Sequence, residues 1–147
     1  MWDKLITTNR SIVLLILRLT LGIVIFPHGM QKLFGWFGGP GFAGEMKGLT
    51  ESGIPAIVAF LVIIGESFGS LGLITGFLTR VGAFGILLIM LGAIFTVHAQ
   101  FGFFMNWFGN KPGEGFEYHL LVIGIALVLL LRGGGAISVD GILQRKE

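Results

Sequence analysis

Four apolar stretches alternate with short polar or glycine-rich connections along the chain. They run over residues 11–33, 54–78, 81–100 and 116–132. A helix needs about 20 mostly apolar residues to cross the hydrocarbon core of a bilayer, and the last stretch is the shortest of the four. The pattern predicts an all-α, polytopic membrane protein: a bundle of four transmembrane helices, with residues 1–147 forming a single domain.

The second stretch is unusual because a carboxylate, Glu66, lies near its middle. An ionised carboxylate at that depth costs several kcal/mol unless it is paired or protonated, so Glu66 should face protein and not lipid. Glycines also recur along one side of this helix: Gly65, Gly69, Gly72 and Gly76. Such small residues let a neighbouring helix approach closely, which predicts that Glu66 lies at a seam between helices.

The first stretch carries a basic residue, Arg18, on the face that also holds Gly29 and Lys32. At 1.5 Å per residue, Arg18 lies about 10 Å and Glu66 about 18 Å from the same end of the bundle. A long arginine side chain could close that gap. We therefore expect a buried Arg18–Glu66 pair, which either holds two helices in register or forms a proton or quinone site.

The connections predict the orientation and one further element. The segment from Gly41 to Gly53 contains helix-forming residues and two acids, Glu45 and Glu51, and we expect a short interfacial helix there. Basic residues are more numerous on the side that holds both termini and the turn at Arg80. The positive-inside rule then places both termini in the cytoplasm.

A second polar group lies at the opposite, outer ends of the helices. It contains all three histidines of the chain, from three different helices: His28, Lys32, His98, Gln100, Glu117, Tyr118 and His119. Histidines on facing helices can hold a haem or a metal ion, or they can bond a quinone carbonyl and exchange its protons. Water, headgroups and loop carbonyls could equally satisfy them. No i, i+4 histidine pair or HExxH motif supports a metal, and Glu117 and His119, two residues apart, should point to different sides of a helix.

Composition agrees with a membrane protein and excludes several classes. Hydrophobic residues make up 54% of the 147 residues and charged residues 12%, which is the balance of an integral membrane protein. The net charge of +2 comes from flanking Lys and Arg, so nucleic-acid binding has no support. The chain has no cysteine, which removes thiol redox chemistry, disulfides and thiolate metal sites.

Several short motifs occur in an order that resembles the DoxX family of small four-helix membrane proteins. They are Arg18 with Gly22, His28-Gly29-x-x-Lys32-Leu33, Glu66 with Gly69, Gly72 and Leu73, Gly76-x-x-Thr79-Arg80, and Gly133-Gly134-Gly135-Ala-x-Ser138-x-Asp140. The resemblance implies a bacterial-type inner-membrane protein. Some members of the family are described as parts of membrane oxidoreductase complexes linked to quinone reduction, and distant relatives act in membrane-protein assembly. It also marks Arg80 and Asp140, which we interpret as structural residues at the cytoplasmic end.

Two functional hypotheses follow. In the first, the protein is a quinone-interacting or accessory subunit of a membrane oxidoreductase, with Arg18 and Glu66 as the buried pair. Its candidate ligand contacts are His28, Lys32, His98, Glu117 and His119. In the second, it is a non-catalytic scaffold or assembly factor that binds another membrane protein through its glycine-rich helix faces. Either hypothesis leaves lipid, other membrane subunits or a second copy as partners, and a chain without a nucleotide fold or cofactor motif would not be catalytic alone.

Overall fold

The computed structural model describes residues 2–144. Within this range the chain forms seven α-helices and no strand. They are α1 (Trp2–Ile6), α2 (Ile12–Phe34), α3 (Gly41–Glu51), α4 (Ala56–Thr75), α5 (Thr79–Ala93), α6 (Glu117–Arg132) and α7 (Val139–Leu143). The axis of α5 continues through a π-helical turn, Ile94–His98, and a 3-10 turn, Ala99–Phe101.

Three helical segments in the described range are long and apolar enough to cross a membrane: Ile12–Phe34, Ala56–Thr75 and Thr79–Phe101. The fourth predicted span corresponds to α6, which has 16 residues. Its passage through the bilayer stays a prediction. The helix α3 forms inside the segment where a short helix is expected, and its place at a membrane surface is likewise a prediction.

Capping residues define the ends of the long helices. The Ser11 hydroxyl accepts a hydrogen bond from Leu14 N at the start of α2, which satisfies one of the free N–H groups of a first turn. At the other end, Gly35 has a φ of +74°, a left-handed conformation that glycine adopts without strain. Gly76 ends α4 in the same way with a φ of +70°.

The helices α2, α4, α5 and α6 surround one apolar core, which includes Leu21, Leu73, Ile86 and Leu129. All four helices also leave large apolar side chains exposed on their outer faces, among them Ile16, Phe68, Leu88 and Leu121. Membrane-embedded helices meet lipid through such faces, because lipid tails replace the protein core as the apolar surroundings.

The glycine stripe of α4 is used for packing inside this chain. A Cβ at Gly65 would lie 2.8 Å from the Ile89 side chain, and one at Gly69 would lie 3.7 Å from the Gly82 carbonyl. At Gly76 a Cβ would overlap Ser138. Gly65, Gly69 and Gly76 therefore let α5 and the C-terminal segment approach α4. Gly72 meets only the Phe77 carbonyl of the following turn, so binding of another membrane protein through a glycine-rich face stays a prediction.

Both described ends of the chain lie at one end of the bundle. Arg80, at the start of α5, donates to the Thr7 carbonyl at 3.1 Å, and Gly135 N donates to the Thr8 hydroxyl at 2.7 Å. We call this the inner end. Arg145 and Lys146, which contribute to the predicted charge bias, lie outside the described residues.

Candidate functional site

Arg18 does not pair with Glu66, which corrects the expectation from the sequence. It is 1% exposed, and its guanidinium donates only to backbone carbonyls. These belong to Leu73, Ile74, Gly134, Ala136 and Ile137, at 2.7–3.3 Å. The first two are in the last turn of α4, whose carbonyls have no partner within the helix and attract a cation. Arg18 therefore fastens the end of α4 to the C-terminal segment.

Asp140 makes the complementary contact beside it. Its two carboxylate oxygens accept from Leu78 N at 2.7 Å and Thr79 N at 2.9 Å, the free donors at the start of α5. Arg80 donates to the carbonyls of Leu130 and Leu131 at 2.6 and 3.1 Å. Together with Arg18, these residues form the inner cluster, and their contacts are those of structural residues.

A pocket of about 390 Å³ opens at the opposite, outer end of the bundle. It is lined by Ile25, His28, Lys32, Glu66, Met90, Ala93, His98, Met105, Glu114, Tyr118 and His119. Four of the five candidate ligand residues from the sequence, including all three histidines, therefore lie around one space. Glu66 joins them, whereas the sequence interpretation paired it with Arg18.

The charged wall of the pocket is an ion pair between α2 and α4. Lys32 Nζ lies 2.9 Å from Glu66 Oε2. The two helices meet closely here, because a Cβ at Gly29 would lie 2.7 Å from Ser67 Cα. The Ser67 hydroxyl also donates to the Gly29 carbonyl at 3.0 Å. This contact sets Lys32, one turn beyond Gly29, against Glu66.

The opposite wall holds two histidines in contact. The ring centroids of His98 and His119 are 4.1 Å apart, with the planes tilted by 43°. His98 Nδ1 lies 2.8 Å from the Glu114 carbonyl, which assigns the proton to Nδ1 and leaves Nε2 as an acceptor. The π-helical turn Ile94–His98 carries His98, and such turns are frequent at functional sites.

Several buried polar atoms of the pocket have no hydrogen-bond partner. They are Glu66 Oε2, Tyr118 OH and His119 Nδ1. The contact between Lys32 and Glu66 has the distance of an ion pair without the direction of a hydrogen bond. Because nearly all buried polar groups in proteins are hydrogen-bonded, this concentration marks a place where a ligand could supply partners.

Glu117 does not line the pocket, although the sequence placed it among the ligand contacts. Its Oε1 accepts from Met105 N at 3.0 Å and from Trp107 Nε1 at 3.1 Å. It therefore orders the connection before α6, while His119 faces inward, which is the divergence expected for residues two apart.

Two acids near the pocket were not singled out as site residues from the sequence. Glu45 of α3 lies 3.9 Å from Lys32 Nζ, and Glu114 contacts His98 through its backbone carbonyl. The contact of Glu114 is made by its backbone carbonyl, so the residue type gives no sign of it. Glu45 lies in the predicted connecting helix, where its acidic side chain is visible in the sequence. Within residues 2–144, no group of three or more His, Cys, Asp or Glu residues is placed to hold a metal ion.

Long apolar helices with lipid-facing outer surfaces define a helical integral membrane protein. More specifically, the chain belongs to the DoxX family, which it matches over residues 13–99. That segment contains Arg18, Lys32, Glu66 and His98 and ends before α6.

Similar proteins occur in Escherichia coli and Bacillus subtilis. The chain is 32% identical over 129 residues to "Inner membrane protein YqjF" of Escherichia coli, covering 86% of this chain and 95% of the relative. It is also 32% identical over 115 residues to "Putative oxidoreductase CatD" of Bacillus subtilis, covering 78% of this chain and 76% of that relative. No solved structure matches the chain.

Proposed function

We propose that this protein is a multi-pass protein of the bacterial inner membrane, with four crossings and both termini in the cytoplasm. Its outer pocket binds a quinone headgroup, and the protein serves as a quinone-interacting or accessory subunit of a membrane oxidoreductase. The observation that carries the proposal is the pocket of about 390 Å³, in which three buried polar atoms lack hydrogen-bond partners. The printed names of two relatives, "Inner membrane protein YqjF" and "Putative oxidoreductase CatD", agree with it.

The walls suit a flat ring that carries oxygen atoms. Ile25, Met90 and Ala93 supply apolar surface for the ring, and small-molecule pockets of about 300–1,000 Å³ typically combine such surface with a few polar groups. Lys32 and Tyr118 can donate to a quinone carbonyl. His98 Nε2 and Glu66 can accept from the hydroxyl of the reduced form.

An accessory role follows from the chemistry of these side chains. Imidazole is the side chain that ordinarily exchanges protons near neutral pH, and ammonium, carboxylate and phenol groups can hydrogen-bond and orient a ligand. We therefore assign proton exchange and ligand binding to this chain, and electron transfer to a partner subunit.

The test is binding of decylubiquinone, a quinone with a short tail, to the purified protein in lipid nanodiscs. Calorimetric titration should give saturable heat beyond that of empty nanodiscs. For the reduced form, decylubiquinol, Glu66→Gln should weaken binding at least about tenfold, because the hydrogen bond from the ligand hydroxyl to a charged carboxylate contributes about 1.5–3 kcal/mol.

The matched control is Glu51→Gln, which removes an exposed carboxylate of α3 that pairs with Lys47 at 3.8 Å. It should bind like the wild type. Heat that does not saturate, or decylubiquinol binding that is the same in Glu66→Gln, would contradict the proposed pocket and leave only partition of the ligand into the lipid.

A further inference from the structure

Three charged groups, Glu66, Lys32 and Glu45, lie next to one another at the edge of the pocket. Lys32 Nζ lies 2.9 Å from Glu66 and 3.9 Å from Glu45. The Glu66 side chain is 7% exposed, whereas those of Lys32 and Glu45 are 21% and 19% exposed. One ammonium is therefore shared between a buried carboxylate, Glu66, which we call the inner carboxylate, and a partly exposed one, Glu45, the outer carboxylate.

The inner contact is the one a ligand can replace. Glu66 Oε2 has no hydrogen-bond donor although it is close to Lys32. A ligand hydroxyl entering the pocket could donate to this oxygen. The hydroxyl then takes the place of the ammonium beside Glu66, and the flexible side chain of Lys32 can turn to the other nearby carboxylate, Glu45.

The outer carboxylate is held in place by its helix. The helix α3 packs against both α2 and α4, so Glu45 stays within reach of Lys32. The second acid of α3, Glu51, is in a different environment. It pairs with Lys47 of the same helix, and the side chains of Lys47 and Glu51 are 75% and 67% exposed. Of these two acids, Glu45 is the one that lies near a residue of the pocket, Lys32.

We propose that Glu45 is a positioning residue that lets the pocket distinguish the reduced from the oxidised ligand, an inference that rests on the quinone-binding function proposed above. A quinol hydroxyl donates to Glu66, and Lys32 moves towards Glu45. A quinone carbonyl, which has no proton to donate, accepts from Lys32 in its position beside Glu66. Glu45 therefore stabilises the quinol-bound state more than the quinone-bound state.

The test compares the affinities of decylubiquinol and decylubiquinone for the full chain in nanodiscs. Glu45→Gln should weaken quinol binding by roughly two- to fivefold, the range of a partly exposed ion pair, and leave quinone binding unchanged. Glu45→Asp should restore part of the quinol affinity, and Glu51→Gln should bind both forms like the wild type. Equal weakening of both forms would show a merely structural role, and unchanged binding of both would also overturn the proposal.

A ligand-free measurement separates this inference from the proposed function. The NMR signal of ¹³C-dimethylated Lys32, assigned with Lys32→Arg, is titrated with pH in Glu45→Gln, Glu66→Gln and the double variant. The other titratable groups around the pocket are the same in all three: His28, His98, Glu114, Tyr118 and His119. A shared ammonium keeps one partner in each single variant, so the double variant should shift the Lys32 midpoint by more than the sum of the singles.

The binding experiment and the NMR titration contradict different claims. If wild-type protein binds neither form of the ligand, the proposed function is wrong, and the inference about redox-form selectivity falls with it. If the ligands bind but the midpoint shifts are additive, Lys32 is not shared, and only the role of Glu45 is overturned.

Discussion

The two polar clusters of the bundle differ in how completely their buried groups are hydrogen-bonded. In the inner cluster, Arg18 meets five carbonyls and Asp140 two N–H groups. Among the described residues, four buried side-chain atoms lack a hydrogen-bond partner. Three line the outer pocket, and the fourth, Thr79 Oγ1, lies at the inner end.

This difference separates architecture from ligand binding better than charge or burial does. Arg18 and Glu66 are both buried ionisable groups inside apolar helices, and by either criterion both would be functional candidates. A buried group whose hydrogen bonds are complete has nothing left to offer a ligand. A group with unused donors or acceptors carries a cost that a ligand can remove.

The largest expected effect is therefore at the inner cluster. Arg18→Lys keeps the charge but cannot supply five N–H groups in a planar arrangement. It should lower the free energy of unfolding by about 3 kcal/mol or more, because buried carbonyls lose their donors. Unfolding by SDS in mixed micelles measures this. Arg132→Lys, at an exposed position that ends α6, is the control and should be neutral. Wild-type stability of Arg18→Lys would remove the distinction between the clusters.

An intermediate effect is expected where the helices that carry the pocket meet. Gly29→Ala would place a Cβ 2.7 Å from the Ser67 backbone, and such overpacking costs about 1–3 kcal/mol. Separation of α2 from α4 should also lengthen the contact between Lys32 and Glu66 and weaken decylubiquinone binding. Gly124→Ala is the matched control, since a Cβ there meets nothing within 4 Å. Equal stability of the two variants would show that the seam is loose.

The sequence was sufficient for the helices and for the outer convergence of polar residues. Apolar length and helical periodicity depend on residue type alone, so α2, α4 and α5 could be located. His28, Lys32, His98 and His119 were grouped because the order of the spans places their ends together, and the structure brings them around one pocket.

The pairing inside each cluster could not be predicted in the same way. Arg18 and Glu66 were matched by estimated depth, yet the partners of Arg18 are backbone carbonyls, which every residue possesses. The sequence places Lys32 on the same helix face as Arg18 and Gly29, but its contact with Glu66 depends on how closely α2 approaches α4 at Gly29. Helix ends and crossing distances, unlike periodicity, are decided by tertiary packing.

The smallest effect on stability, and the one of opposite sign, is expected inside the pocket. His119→Phe keeps an aromatic ring beside His98 but removes a buried nitrogen that has no partner. Loss of an unsatisfied polar group should leave the free energy of unfolding unchanged or raise it by up to about 1 kcal/mol, while decylubiquinone affinity falls. Leu120→Phe introduces a phenyl ring at the exposed neighbouring position on α6. It is the control for the phenyl group itself and should retain binding. If His119→Phe instead destabilises the protein as Arg18→Lys does, the outer cluster is structural too, because its histidines must then already be satisfied in the folded state.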